Sequence, residues 1–230
     1  MWVHKIRCSY LDRGGTGNQK FERSGGTRKL ATVVLGDHYA SDSVTENQNE
    51  GHDRVISYVS YVLPDNVEDL TLSSDDFDIN GTGNGADNAI VGNAGVNVLD
   101  GGAGNDTLTG GAKNATLTGG SGNDAFIYSS ALLASNADTI TDFLTWADFM
   151  HLDASILTGL TQNGMLNATL FASGPGVTAT TAAHRILYNT STGDLSYDAD
   201  GTGAAAAVKL FTLSGTPGVS ASDIVVLYAP

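Results

Sequence analysis

Cysteine is all but missing from this 230-residue chain: Cys8 stands alone, so no disulfide can form within one molecule. Proline is scarce, at 4 residues. Lysine and arginine number 11 against 25 acids, and seven of them fall in residues 1–35: Lys5, Arg7, Arg13, Lys20, Arg23, Arg28 and Lys29. With Asp12 and Glu22 that segment is net +5, which leaves residues 36–230 at net −19. Such an acidic body repels nucleic acid and anionic membranes and excludes both as partners. It needs cations to compact. No apolar run approaches the length of a membrane span, so membrane insertion is not expected. The first residues, MWVHKIRCSYL, lack an apolar core segment, so no cleavable secretory signal is expected there.

Catalytic constellations are missing too. The five histidines are His4, His38, His52, His151 and His184; none precedes a Glu and no two are close. That excludes the H-E-x-x-H zinc helix. There is no G-x-S-x-G elbow and no G-K-[ST] phosphate loop. The run Gly81-Thr82-Gly83-Asn84-Gly85 opens no helix, so it is not a dinucleotide turn. The paired acids Asp75 and Asp76 read as a solvated face. The chain by itself is not expected to be an enzyme.

What is present is glycine, 29 residues of it, and a period. Residues 92–127 divide into GNAGVNVLD, GGAGNDTLT, GGAKNATLT and GGSGNDAFI. The eighth position holds Leu99, Leu108, Leu117 and Phe126, and nine residues earlier Ile90. The template G-G-x-G-x-D-x-U-x, with U a large apolar residue, marks a calcium-binding parallel β-helix. Calcium takes six to eight oxygens from carboxylates and carbonyls. Glycines let the backbone wrap an ion, and the Asp at position six adds a charged oxygen. The x-U-x triplet is a short strand with U pointing inward. Nine residues make one turn and one strand; eighteen make a full coil.

Rows eighteen residues apart share a side. Gly102, Gly104 and Asp106 therefore stack under Gly120, Gly122 and Asp124, and the row before them ends in Asp87 and Asn88. The opposite side carries Asn93, Gly95 and Asn97, then Gly111, Lys113 and Ala115. An ammonium group at Lys113 repels calcium. Ions are expected on the Asp106/Asp124 side, and none or a weak one at Lys113/Ala115. The plain alternative is a metal-free solenoid of Gly/Asn/Asp turns, which is the better reading for Asn97.

These repeats resemble the RTX (repeats-in-toxin, hemolysin-type) calcium-binding proteins. Over roughly residues 40–230 the chain resembles the C-terminal domain of serralysin-type metallopeptidases. The wording V-S-Y-x-L-P-x-x-V-E-x-L-T-L, at 59–72, precedes the glycine repeats as it does in many RTX proteins, and DTITDF at 138–143 follows them. The resemblance implies an all-β fold: a short calcium-binding parallel β-roll followed by a C-terminal β-sandwich cap. It implies carbonyl ligands at positions two and four with the carboxylate at six. It makes Asp138 and Asp148 ligands of a last calcium, although Ala131 stands where a further acid is usual. It also implies export by a type I exporter that reads an uncleaved C-terminal signal, hence an extracellular, secreted, non-catalytic module that folds on Ca2+. Two rivals stay open. One is the C-terminal part of a secreted hydrolase, a peptidase or lipase. The other is an extracellular adhesin or matrix protein.

The remaining segments complete the plan. Residues 1–35 match no pattern and read as a flexible remnant. Residues 36–80 read as strands leading into the roll, 81–128 as the roll, and 129–230 as the sandwich carrying the export signal. Ile79 to Ile90 is eleven residues, so that turn is expected to be two residues longer. After Tyr128 the period stops. Strands are expected at 138–143, 148–153, 208–213 and 224–227, with a hairpin of 185–188 against 195–198. Leu132–Asn136 and Asn167–Ala172 are candidate short helices. Asp198-Ala199-Asp200-Gly201 resembles the start of an EF-hand loop, but Lys209 stands where the closing Glu belongs, so a strand-ending turn is expected.

Overall fold

The computed structural model describes residues 7–9, 32–35, 43–48, 51–73, 76–133 and 136–227. It consists of strands and two short 3-10 turns, Ala168–Leu170 and Ala221–Asp223. Two nine-stranded sheets face one another. In the first sheet Thr32–Leu35, Arg54–Ser57, Asp69–Leu72, Ala89–Val91, Thr107–Thr109, Ala125–Tyr128, Phe149–Asp153 and Ile224–Leu227 stack in parallel. In the second, Tyr61–Val62, Gly81–Thr82, Val98–Ala103, Thr116–Ser121, Asp138–Ile140 and Val208–Leu213 do the same. The chain alternates between the sheets, so each pair of strands is one coil of a β-roll.

The nine-residue register dictates the core. Ile90, Leu99, Leu108, Leu117 and Phe126 are all fully buried. Leu70, Ile90, Leu108, Phe126 and Met150 form one inward column, and Leu99, Leu117 and Ile140 the facing one. A short solenoid cannot bury such columns in one repeat, so stacking supplies the core.

The expected longer turn at 79–90 needs correction. Gly81 pairs with Leu99 and holds the inward seat nine residues before Ile90. A Cβ there would sit 2.9 Å from Leu70, 3.3 Å from Ile90 and 3.4 Å from Leu99. The period continues unbroken; a glycine fills the apolar seat because its neighbours already fill the space, and Ile79 lies in the turn.

The sandwich portion continues the roll's own two sheets. Beyond Tyr128 the coils lengthen: Phe126 pairs with Met150, and Leu117 with Ile140. Parallel stacking persists because only the turns grew. Antiparallel pairing then closes the stack. Ile186–Asn189 and Asp194–Tyr197 form the expected hairpin, and Gly164–Met165 covers Ile224–Leu227. Asn167 caps the 3-10 turn at 168–170, which passes directly into strand Phe171–Gly174. The possible helix at 132–136 is not formed at its described residues. Asp198 accepts the amides of Asp200 and Gly201 at 3.2 and 2.8 Å, an Asx turn ending a strand. Within the segment read as flexible, Arg7–Ser9 pairs with Ser43–Thr45, and Thr32–Leu35 joins the first sheet. Its other residues lie outside those described.

Glycine is required where coils meet. At Gly120 φ is 95°, and an added Cβ would strike the carbonyl oxygen of Gly102 one coil earlier. Neither backbone can move without opening the ladder. Gly120→Ala is expected to cost about 3 kcal/mol in calcium. Gly85, with open space around it, provides the control: Gly85→Ala should change stability by less than about 0.5 kcal/mol. Denaturant unfolding of the two variants checks the difference.

Candidate calcium site

Turns returning from the second sheet to the first lie on one edge of the roll; turns going out lie on the other. On the return edge, position six of successive coils forms a ladder. The Asn88 amide donates to Asp106 Oδ1 at 2.7 Å, the Asp106 amide to Asp124 Oδ1 at 2.8 Å, and the Asp124 amide to Asp148 Oδ1 at 3.0 Å. All four side chains are buried. The predicted stacking of Asp106 under Asp124 is therefore present, with Asp148 as its next rung.

This ladder carries more charge than it balances. Asp106 Oδ2 is buried and has no hydrogen-bond partner. Burial pushes the Asp106 carboxyl up to about 6; the Asn88 amide opposes this, and Asp124, Asp87 and Asp100 reinforce it. Burial also raises Asp124, as do Asp148 and Asp142 nearby. A lone buried carboxylate is among the costlier groups a protein can hold. Beside it run the glycines. The carbonyl oxygens of Gly102 and Gly104 point at Gly120 and Gly122, so closely that a Cβ on either would meet them. Carbonyl oxygens and carboxylates with no cationic side chain among them form a hard-oxygen donor set suited to calcium.

Among the described residues no group of three or more His, Cys, Asp or Glu side chains converges as a metal cluster. The arrangement explains this, since most donors here are backbone carbonyls. Asp87 lies within the 83–88 turn, but its side chain is exposed and accepts the Asn105 amide at 2.7 Å.

Asp138 and Asp148, paired in the sequence reading, are not brought together. Asp148 ends a return turn, whereas Asp138 ends an outgoing one, at the level of Ala115. Asp138 Oδ1 accepts the Ala115 amide at 2.8 Å, and its carboxyl lies over Gly110. The carboxylate that Ala115 lacks is thus supplied from the next coil. Burial pushes Asp138 up to about 7. Lys113 stays at the surface, 3.7 Å from Asp76. Asp142 was missed. It accepts the amides of Gly119 and Gly120 at 3.0 and 2.8 Å, on the Asp124 side. It is the second acid of DTITDF, so the motif already contained it.

The model of the RTX calcium-binding nonapeptide repeat matches residues 82–117 and 106–129, in 4 copies. Residues 82–129 are RTX repeats. The match covers the middle of the chain, where the ladder and the glycine turns lie. Comparison with curated proteins gave no match. Among solved structures a similar chain is the AlgE6R3 subunit of the Azotobacter vinelandii mannuronan C5-epimerase. It is 26% identical over 67% of this chain and 81% of that one, with a TM-score of 0.43.

The raised acids of the two edges give stability a pH dependence. The folded values of Asp106 and Asp138, about 6 and about 7, exceed the ordinary 3.8. A group raised on folding stabilises fully below its unfolded value and loses that contribution as pH rises through its folded value. In chelator the protein is therefore expected to melt higher at pH 5 than at pH 8. A higher melting temperature at pH 8 in chelator would refute this.

Proposed function

We propose that the protein is a secreted, non-catalytic RTX module that binds calcium along its return edge and completes its fold when it does. The observation that carries this reading is the buried, partnerless oxygen of Asp106, in a glycine turn within the residues that match the RTX calcium-binding nonapeptide repeat. Gly102, Gly104, Gly120 and Gly122 offer carbonyls, and Asp106 and Asp124 carboxylates. Asp148 extends the column, Asp138 serves the opposite edge, and Asp87 and Asn88 flank the first glycine turn. A bound ion supplies the positive charge that lets these carboxylates stay ionised when buried. Equilibrium dialysis with labelled calcium tests this. At least one ion per chain at millimolar calcium is expected, with occupancy lost in Asp106→Ala and Asp124→Ala; unchanged occupancy in both variants refutes the ligand assignment.

The acidic body also suits export. In low calcium the like charges of residues 36–230 oppose collapse, which keeps the chain threadable for a type I exporter. Outside, millimolar calcium matches the roughly 10⁻⁴–10⁻³ M affinities of extracellular calcium modules. Ile224–Leu227, preceded by Asp223, forms the apolar C-terminal segment that such an exporter would read. Deleting 215–230 is expected to retain the protein inside exporter-bearing cells, while deleting 1–31 is not. Normal secretion of the first deletion would overturn the export reading.

A further inference from the structure

The RTX repeats contain two kinds of turn. In the glycine kind, position two is left-handed: φ is 100° at Gly102, 101° at Gly111 and 95° at Gly120. In the other kind position two is Asn84 or Asn93, neither of which has positive φ. There the turn closes on side-chain amides. The Asn84 amide donates to Asn88 Oδ1 at 2.7 Å, and the Asn93 amide to Asn97 Oδ1 at 3.0 Å. The next turn amides follow the same plan, Ala86 to Asn84 Oδ1 at 2.8 Å and Gly95 to Asn93 Oδ1 at 2.9 Å.

The nitrogens of these asparagines reach the preceding coil. Asn84 Nδ2 donates to the carbonyls of Pro64 and Val67, both at 2.7 Å, and Asn88 Nδ2 to those of Val67 and Glu68, both at 3.1 Å. On the opposite edge Asn93 Nδ2 donates to the Phe77 carbonyl at 3.1 Å and Asn97 Nδ2 to that of Ile79 at 2.5 Å. The network fixes the orientation of each amide, since its oxygen meets an N–H and its nitrogen meets carbonyls. An aspartate has no N–H to give and can engage such carbonyls only through a cation. Asp106, at the same position one coil on, keeps an oxygen with no partner.

We propose that the coil 83–100 is a calcium-independent member of the repeat. Its N-x-x-x-N turns, Asn84 to Asn88 and Asn93 to Asn97, do with amides what the glycine turns do with ions. Calcium binding then begins at Asp106, and this coil is the preformed seat on which the calcium coils stack. The inference rests on the calcium reading of the Asp106/Asp124 edge.

Hydrogen exchange of the full chain, read by mass spectrometry in chelator and in calcium, separates the two. With calcium at a hundred times its Kd, protection across 101–128 is expected to fall about a hundredfold on chelation, while peptides from 83–99 keep theirs. Loss in both segments together overturns this inference and leaves the calcium reading standing. Loss in neither overturns the calcium reading itself. The double variant Asn84→Gly/Asn88→Asp is expected to bind one more calcium than the parent and to lose protection at 83–91 in chelator. An unchanged stoichiometry with retained protection would overturn the proposal.

Discussion

Chelation is expected to lower the melting temperature of this protein by about 5–11 °C. The magnitude follows from ligands that bind only the folded state. Each ion at a hundredfold excess over its Kd stabilises by about 2.7 kcal/mol. The return edge offers one place where glycine turns and acids of adjacent coils face each other, between 101–106 and 119–124. Asparagines close the turn at 83–88, and the binding energy of the one ion already includes the relief of repulsion among Asp106, Asp124, Asp142 and Asp148. About 2.7 kcal/mol, at about 2–4 °C per kcal/mol for a chain of this length, gives the stated range. Scanning calorimetry in calcium and in chelator measures it, and a shift under about 3 °C would be too small for even one such ion.

Asp106→Asn should change sign with calcium. The substitution preserves shape and removes the charge. In calcium it deletes a carboxylate donor, and a loss of about 2–3 kcal/mol is expected. In chelator at pH 8 it removes a buried, partly unpaired charge, and a gain on the order of 1–2 kcal/mol is expected. A structural hydrogen-bond role alone would give the same change in both conditions, because Asn keeps an oxygen that can accept the Asn88 amide. Urea unfolding of wild type and variant with and without calcium distinguishes these outcomes, and destabilisation by similar amounts in both would sink the ligand role of Asp106.

The roll was legible because its rule is local. Five apolar residues at spacing nine placed the inward columns, and a spacing of eighteen placed Asp106 beneath Asp124. The rest depended on distance. Gly81 holds an apolar seat, which only its packed neighbours Leu70, Ile90 and Leu99 reveal. Parallel stacking persists past Tyr128 although the period ends, because pairing constrains strands and leaves turn length free. The separation of Asp138 from Asp148 follows from that same counting of sheets: ten residues apart, they are half a coil apart. The amide-closed turns were visible as two asparagines four residues apart, but their meaning needed the carbonyls of the preceding coil.

The alternation of edges also constrains how such a chain can change its length. Inserting eighteen residues adds a whole coil and returns every downstream side chain to its own edge. Inserting nine moves everything downstream of the insertion to the opposite edge. If it fell between Asp106 and Asp124, those two acids would part company, and the closing strands from Asp138 onward would meet the wrong sheet. Growth by duplication is therefore quantised in pairs of nonapeptides. A lineage gaining a single one would lose the acidic column and its C-terminal closure in the same event.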